Sequence, residues 1–276
     1  AIRNIPRRKA QTSLIVLGLM LATLLFSASF ATGDTLSHSI RVIALQYVGP
    51  VDEVITSSST EESGEGSYID YGIFEKIQSQ SINAEIDGIT PLIYLTAPMV
   101  SEKTQRSDSG MVIQGFEPNL LANFDKYFNS DGKELNINDL TDSEIYISED
   151  AAINLKASEG DSVSVYFGVV PTRLSIKGIF TSGSNGSEST STSLFKLSSL
   201  QQILGKSNEI NAIFISNTGG LVPRVGSTKS VVDSLSSILE QEDLEIEKLK
   251  EDLLETADEA GSGFASIFLL FGSFSI

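Results

Sequence analysis

Ser13-Leu-Ile-Val-Leu-Gly-Leu-Met-Leu-Ala-Thr-Leu-Leu-Phe-Ser-Ala-Ser-Phe30 carries no charge, and the uncharged stretch around it extends from Ala10 to Gly33. As a helix rising about 1.5 Å per residue, those twenty-four residues span roughly 36 Å, enough for a hydrocarbon core of about 30 Å. Arg3, Arg7, Arg8 and Lys9 precede the run, and the acidic Asp34 follows it. The positive-inside rule then sets the topology. Residues 1–12 are expected in the cytoplasm, residues 13–33 in the bilayer, and the chain after Asp34 outside. Ser29-Phe30-Ala31 also fits the cleavage site of a signal peptide, but the run exceeds the usual apolar region of about 7–15 residues.

The far end repeats the pattern. From Ala260 to Ile276 no residue is charged, and the stretch includes Phe268-Leu-Leu-Phe271. Seventeen residues cover about 25 Å, short of a full crossing. Residues 261–276 are therefore expected to begin a second transmembrane helix. The whole reads as a multi-pass plasma-membrane protein with residues 34–260 outside the cytoplasm.

Between the two ends the periodicity predicts an α+β body. Leu36, Ile40, Ile43, Ala44 and Tyr47 carry the first helix outward to Gly49-Pro50. Strands are expected at 51–56, 84–89, 91–99, 111–116, 144–148, 162–167, 173–180, 212–216 and 245–249. Helices are expected at 74–81, at 149–155 behind a Ser148 cap, at 197–204, around 231–239, and from Glu251 into the terminal apolar segment. Residues 57–67, 100–108 and 181–193 read as polar loops. Two lobes are expected: a βαβ-like one built from both chain ends, and an inserted β-rich one at about 111–196.

Chemistry is sparse. Of nineteen basic residues four lie before Ser13, leaving fifteen against thirty-six acids, so the rest of the chain carries −21. That charge argues against nucleic acid and against docking on anionic headgroups. With no cysteine there are no disulfides, thiolate metal sites or cysteine nucleophiles. His38 is the single histidine, on the outward helix just past the expected membrane edge, and reads as a solvated residue. Neither a G-x-S-x-G elbow nor a phosphate-binding P-loop occurs. Ser193-Leu-Phe-Lys196 matches S-x-x-K without its companion motifs, so Ser193 reads as a loop end and Lys196 as a solvated strand residue. The pairs Asp52/Glu53, Glu61/Glu62 and Glu149/Asp150 read as surface charge, and Asn185-Gly-Ser187 as a sequon in a loop. No catalytic, cofactor-binding or metal-binding residue is assigned, and the chain is not expected to be an enzyme.

Several stretches taken in order carry a family resemblance. Asn4-Ile-Pro-Arg-Arg-Lys9, Gln11-Thr-Ser-Leu-Ile-Val-Leu-Gly18 and Gly33-Asp34 resemble the opening of MacB/FtsX-like ABC transporter permeases. Tyr146-Ile-Ser-Glu-Asp-Ala-Ala-Ile-Asn-Leu-Lys-Ala-Ser-Glu-Gly-Asp161, Leu174-Ser-Ile-Lys-Gly-Ile-Phe180, Leu194 to Gly205 and Asn211-Ala-Ile-Phe-Ile215 are similar to later motifs of the same family. The polar loops at 57–67 and 181–193 match nothing in it.

The resemblance implies a dimer of permease subunits, each bound to a cytoplasmic ABC ATPase. The extracytoplasmic domain lies between transmembrane helices one and two and turns ATP hydrolysis into work outside, on an unidentified substrate or protein. A division-type homologue that activates a wall hydrolase, and an anchored binding protein without an ATPase, remain open beside it. The coupling reading predicts a stalk. Leu36, Ile40 and Ile43 on one helix should face Leu253, Leu254 and Ala257 on the other.

Overall fold

A computed structural model describes residues 9–58, 67–80, 85–124, 126–181, 191–219 and 227–273. The chain divides into two compact units, Ala1–Ala44 with Asp252–Ile276, and Leu45–Glu251.

The first unit is helical. Helix α1 (Lys9–Val48) is unbroken over 40 residues. Within it the stretch Lys9–Ile43, whose most apolar 18 residues have a mean hydropathy of 2.3, is long and apolar enough to cross a bilayer, the one such helix among the described residues. Its apolar side chains point outward, with Leu14 75% exposed. Its hydroxyls turn inward to their own backbone. Thr23, Thr32, Thr35 and Ser39 each donate to a carbonyl four residues earlier, at 2.7–3.0 Å. Such bonds hide polar groups from an apolar surround. The last helix, α6 (Leu249–Ser273), brings the chain back. Side chains from Phe264 onward lie outside the described residues, and with them the details of the expected second membrane segment.

The second unit is built on one nine-stranded sheet. Where α1 ends, Gly49 takes φ +63° and its N–H bonds to the Leu45 carbonyl at 2.9 Å, the left-handed stop that glycine accepts freely. Strand β1 (Glu53–Ser57) follows. Next come the two-residue β2 (Ile69–Asp70), helix α2 (Tyr71–Gln80) and the long β3 (Ile86–Ser101). β4 (Ser107–Phe116), the short β5 (Tyr127–Phe128) and β6 (Glu134–Leu135), and β7 (Glu144–Ser148) lead into α3 (Glu149–Leu155). Then β8 (Ser162–Val165), β9 (Thr172–Phe180) and β10 (Thr192–Lys196) precede α4 (Leu197–Leu204). β11 (Glu209–Ile210), β12 (Ala212–Asn217), α5 (Ser227–Gln241) and β13 (Leu244–Glu247) complete the unit.

The strand order is β13-β1-β12-β3-β4-β10-β7-β9-β8, and β3 also pairs with β8 through Met99–Val165 and Ser101–Val163. Six strands therefore close on themselves, with Met99, Met111, Ile113, Ile145, Val163 and Ile176 wholly buried. Beyond the ring, β13, β1, β12 and the start of β3 form an antiparallel sheet. Ile55, Ile213 and Ile215 pack there in one core with Phe74 and Ile77 of α2 and Val231, Leu235 and Ile238 of α5.

Several elements lie where the periodicity places them: β7 and α3 with its Ser148 cap, whose Oγ accepts the Ala151 N–H at 3.3 Å, and α4 with Gly205 at φ +68° behind it. Others differ. The two strands expected at 84–89 and 91–99 are the single β3, running through Pro91. Proline suits that point because the β4 ladder begins only at Leu92 opposite Phe116, so on that side no partner waits for a donor. The polar stretch 100–108 is mostly the β3–β4 hairpin, turned at Gln105 with φ +58°. The end of the loop expected at 181–193 is β10, a central strand parallel to β4, while 182–190 lie outside the described residues with 59–66.

Candidate functional site

The acids Asp52 and Glu53, expected at the surface, are buried, as are Lys250, Asn217 and Thr228. All five belong to the second unit. Asp52 sits on the short link between α1 and β1, Asn217 at the end of β12, Thr228 in the first turn of α5 and Lys250 in the first turn of α6. Their side chains meet. Lys250 Nζ lies 2.8 Å from Asp52 Oδ1. The backbone N–H of Asn217 donates to Asp52 Oδ2 at 2.7 Å, and Asn217 Nδ2 donates to Glu53 Oε1 at 2.7 Å.

The backbone of Asp52 ties the same elements. Its N–H donates to the Ile215 carbonyl at 2.8 Å, and its carbonyl accepts the Lys250 N–H at 3.2 Å. A lysine in the first turn of a helix opposes the macrodipole, and a buried ammonium pays a heavy desolvation cost. The Asp52 carboxylate offsets both. Asp52 thus fastens the root of α6 to the start of β1 and the end of β12. Burial pushes the Glu53 carboxyl up to about 7, above its ordinary 4.5. Asn217 and Thr228 pull it down by hydrogen bonding, Asp52 pushes it further up, and Lys250 lowers it.

In the first unit α1 and α6 meet at a polar contact. Arg41 Nε lies 3.3 Å from Asp258 Oδ1, and Ser37 Oγ donates to the same oxygen at 3.4 Å. Ala257 is buried and Leu36, Ile40, Leu253 and Leu254 are half-buried. Ile43, expected on the same stripe, is 65% exposed. The inward positions of α1 are Gly33, Leu36, Ser37 and Ile40, the 3–4 spacing of one face, and Ile43 falls outside it.

A groove of about 760 Å³ opens on the second unit beside Val54, Thr56, Tyr94, Phe214, Glu245 and Glu247. These residues alternate with Ile55, Ile213 and Ile215, so the groove lies on the sheet face opposite α2 and α5.

The motifs singled out in the sequence are scattered. Ser193 is wholly buried in β10, its hydroxyl donating to the Val112 carbonyl at 3.4 Å, and not a loop end. Lys196 closes the same strand, and strand residues three apart face opposite sides, so the S-x-x-K residues are not brought together. Glu149 and Asp150 occupy the first turn of α3, where acids suit the helix dipole. His38 is exposed on α1. Glu61/Glu62 and Asn185 lie outside the described residues. Among the described residues no group of three or more His, Asp or Glu is placed to hold a metal ion.

Residues 12–224 match the MacB-like periplasmic core domain. The chain belongs to the MacB-like periplasmic core domain family. The matched residues carry an extracytoplasmic domain of the ABC-transporter permease type. A search of the curated proteins gives no match. Among solved structures it is similar to the periplasmic region of MacB from Actinobacillus actinomycetemcomitans, at 15% identity and TM-score 0.50 over 75% of this chain and 93% of that one. It is also similar to the extracellular domain of the ABC-type transporter YknZ from Gram-positive bacteria, at 12% identity and TM-score 0.48 over 71% and 99%. At 15% identity the likeness to the MacB region is one of fold.

Proposed function

We propose that this MacB-like chain is a permease subunit whose extracytoplasmic domain converts ATP hydrolysis in the cytoplasm into work outside the membrane. The observation that carries this reading is the family match over residues 12–224 on a chain whose α1 includes an apolar stretch long enough to cross a bilayer. In this reading residues 1–12 are cytoplasmic, 13–33 cross the bilayer, 34–260 lie outside as two lobes, and 261–276 begin a second crossing. The subunit works with a second copy and a cytoplasmic ABC ATPase, and it performs no catalysis of its own. A continuous helix cannot absorb displacement along its axis without breaking hydrogen bonds, so α1 and α6 transmit membrane-side motion as rods. The Asp52–Lys250 joint supports this reading, because sliding α6 against β1 separates two buried charges at a cost of several kcal/mol.

The test is topological and biochemical together. Val169, 98% exposed between β8 and β9, is replaced by cysteine in a chain that has none. A membrane-impermeant maleimide should label it in intact cells, and an ABC ATPase should co-purify with the tagged protein and hydrolyse ATP. Labelling only after the cells are opened, or purification free of any ATPase, rules the reading out.

A further inference from the structure

The joint holds more acid than its lysine can balance. Two carboxyls, Asp52 and Glu53, are buried beside one ammonium, and Asp52 occupies that ammonium at 2.8 Å. Glu53 Oε1 accepts a hydrogen bond from Asn217 Nδ2, and the Thr228 side chain also hydrogen-bonds to the carboxyl. The atoms then left without a hydrogen-bond partner among the described residues include Glu53 Oε2 and Asn217 Oδ1. These are the second oxygens of two side chains already joined, and both are acceptors while Glu53 is ionised. A proton on Oε2 makes one of them a donor.

We propose that Glu53 is a proton-binding site, whose protonated carboxyl closes a two-hydrogen-bond acid–amide pair with Asn217 and whose ionisation breaks one of those bonds. In the protonated state Oε2–H donates to Asn217 Oδ1 while Oε1 accepts from Nδ2, and no buried polar atom of the pair is left over. In the ionised state two acceptors face each other, and a second negative charge sits next to Asp52. The groups that act on Glu53 are Asp52 before β1, Asn217 on β12, Thr228 on α5 and Lys250 on α6. Each belongs to a different element meeting at this point. The bound ligand is a proton, taken from the medium around the domain. The consequence is a joint at the starts of β1 and α6 and the end of β12 that tightens as that medium acidifies. Burial favours the neutral acid in the direction this requires.

The full chain in detergent, labelled with glutamate enriched in 13C at the side-chain carboxyl, gives the direct reading. One resonance should be missing from Glu53→Gln and should titrate near pH 7 in the unsubstituted protein. Glutamine reproduces the protonated pair, so Glu53→Gln should also make urea stability independent of pH across the range where the parent weakens. Asn217→Asp sets a second acid against Glu53 and should move the midpoint upward. A midpoint below about 5.5, an ordinary carboxylate range, overturns the proposal. So does a Glu53 resonance that stays protonated beyond about pH 9, or an Asn217→Asp variant with an unmoved midpoint.

Discussion

Replacing Lys250 by Met keeps the apolar stem and removes the ammonium, which leaves the Asp52 carboxylate buried without its counter-ion. At 2.8 Å and an effective dielectric of about 20, the Coulomb attraction is on the order of 6 kcal/mol, and desolvation of the two ions opposes it with several kcal/mol. The net value of the intact pair is therefore small, but removing one partner forfeits the attraction and keeps the carboxylate's desolvation. Breaking a buried pair typically costs about 3–5 kcal/mol. That is a large share of the ~5–15 kcal/mol that holds a domain together. The Asn217 N–H still bonds to Asp52 Oδ2 and moderates the loss, so the lower half of the range is expected. Urea unfolding of the full chain in detergent, followed by far-UV circular dichroism, should show a reduced midpoint with an unchanged slope. The double substitution Asp52→Asn with Lys250→Met should recover much of the loss, because no charge is then stranded. Lys250 also lowers the Glu53 carboxyl, so its removal should raise the Glu53 midpoint. A loss under about 1 kcal/mol, the value of an exposed pair, refutes the buried joint.

Three further outcomes follow from the geometry. Because burial raises the Glu53 carboxyl from 4.5 to about 7, the folded state binds more protons at this group than the unfolded one between those values, so the stability Glu53 contributes is full below about 4.5 and is lost, by up to about 3 kcal/mol, as pH rises through 7. Gly115→Ala should cost about 1–3 kcal/mol in the same unfolding assay, since a Cβ there meets Leu200 Cδ2 at 2.8 Å and Cβ at 3.2 Å. Ser193→Ala and Lys196→Ala should leave ATP-dependent output unchanged in a well-folded protein, and loss of output in either would revive an acyl-enzyme role.

Much of the fold is legible in the sequence where local signals agree. Ser148 capping α3, Gly205 ending α4 and Gly49-Pro50 ending α1 all act within a few residues, so their positions can be read directly. The joint is the opposite case. Asp52-Glu53 resembles any solvated acidic pair, and nothing nearby marks it as buried. Its partners Asn217 and Lys250 lie far along the chain, and only the sheet order that puts β1 between β12 and β13 brings them together. Lys250 offers the one faint signal, a base in the first turn of a helix. β3 was hidden by Pro91, a strand breaker everywhere except beside a ladder's end. β10 was hidden by its serine and threonine content, although a central strand buries such hydroxyls readily once they find carbonyls. Ile43 fits the apolar stripe of α1 by spacing, but the contact with α6 is set by Ser37, Arg41 and Asp258, which a purely apolar pattern passes over.

The α1–α6 contact is where coupling through the two helices can be interrupted. Arg41 and Asp258 are 46% and 52% exposed, so their ion pair contributes little to stability and its loss is tolerated. Cysteines at Ser37 and Asp258, in a chain without any other, stand where two side chains already approach to 3.4 Å. The measurement is ATP-dependent output of the assembled transporter before and after oxidation of that pair, with both single-cysteine variants as controls. The account predicts that the disulfide forms readily, that it abolishes output while the ATPase stays bound, and that reductant restores it. A disulfide that forms fully and leaves output unchanged would contradict the transmission of force through these helices.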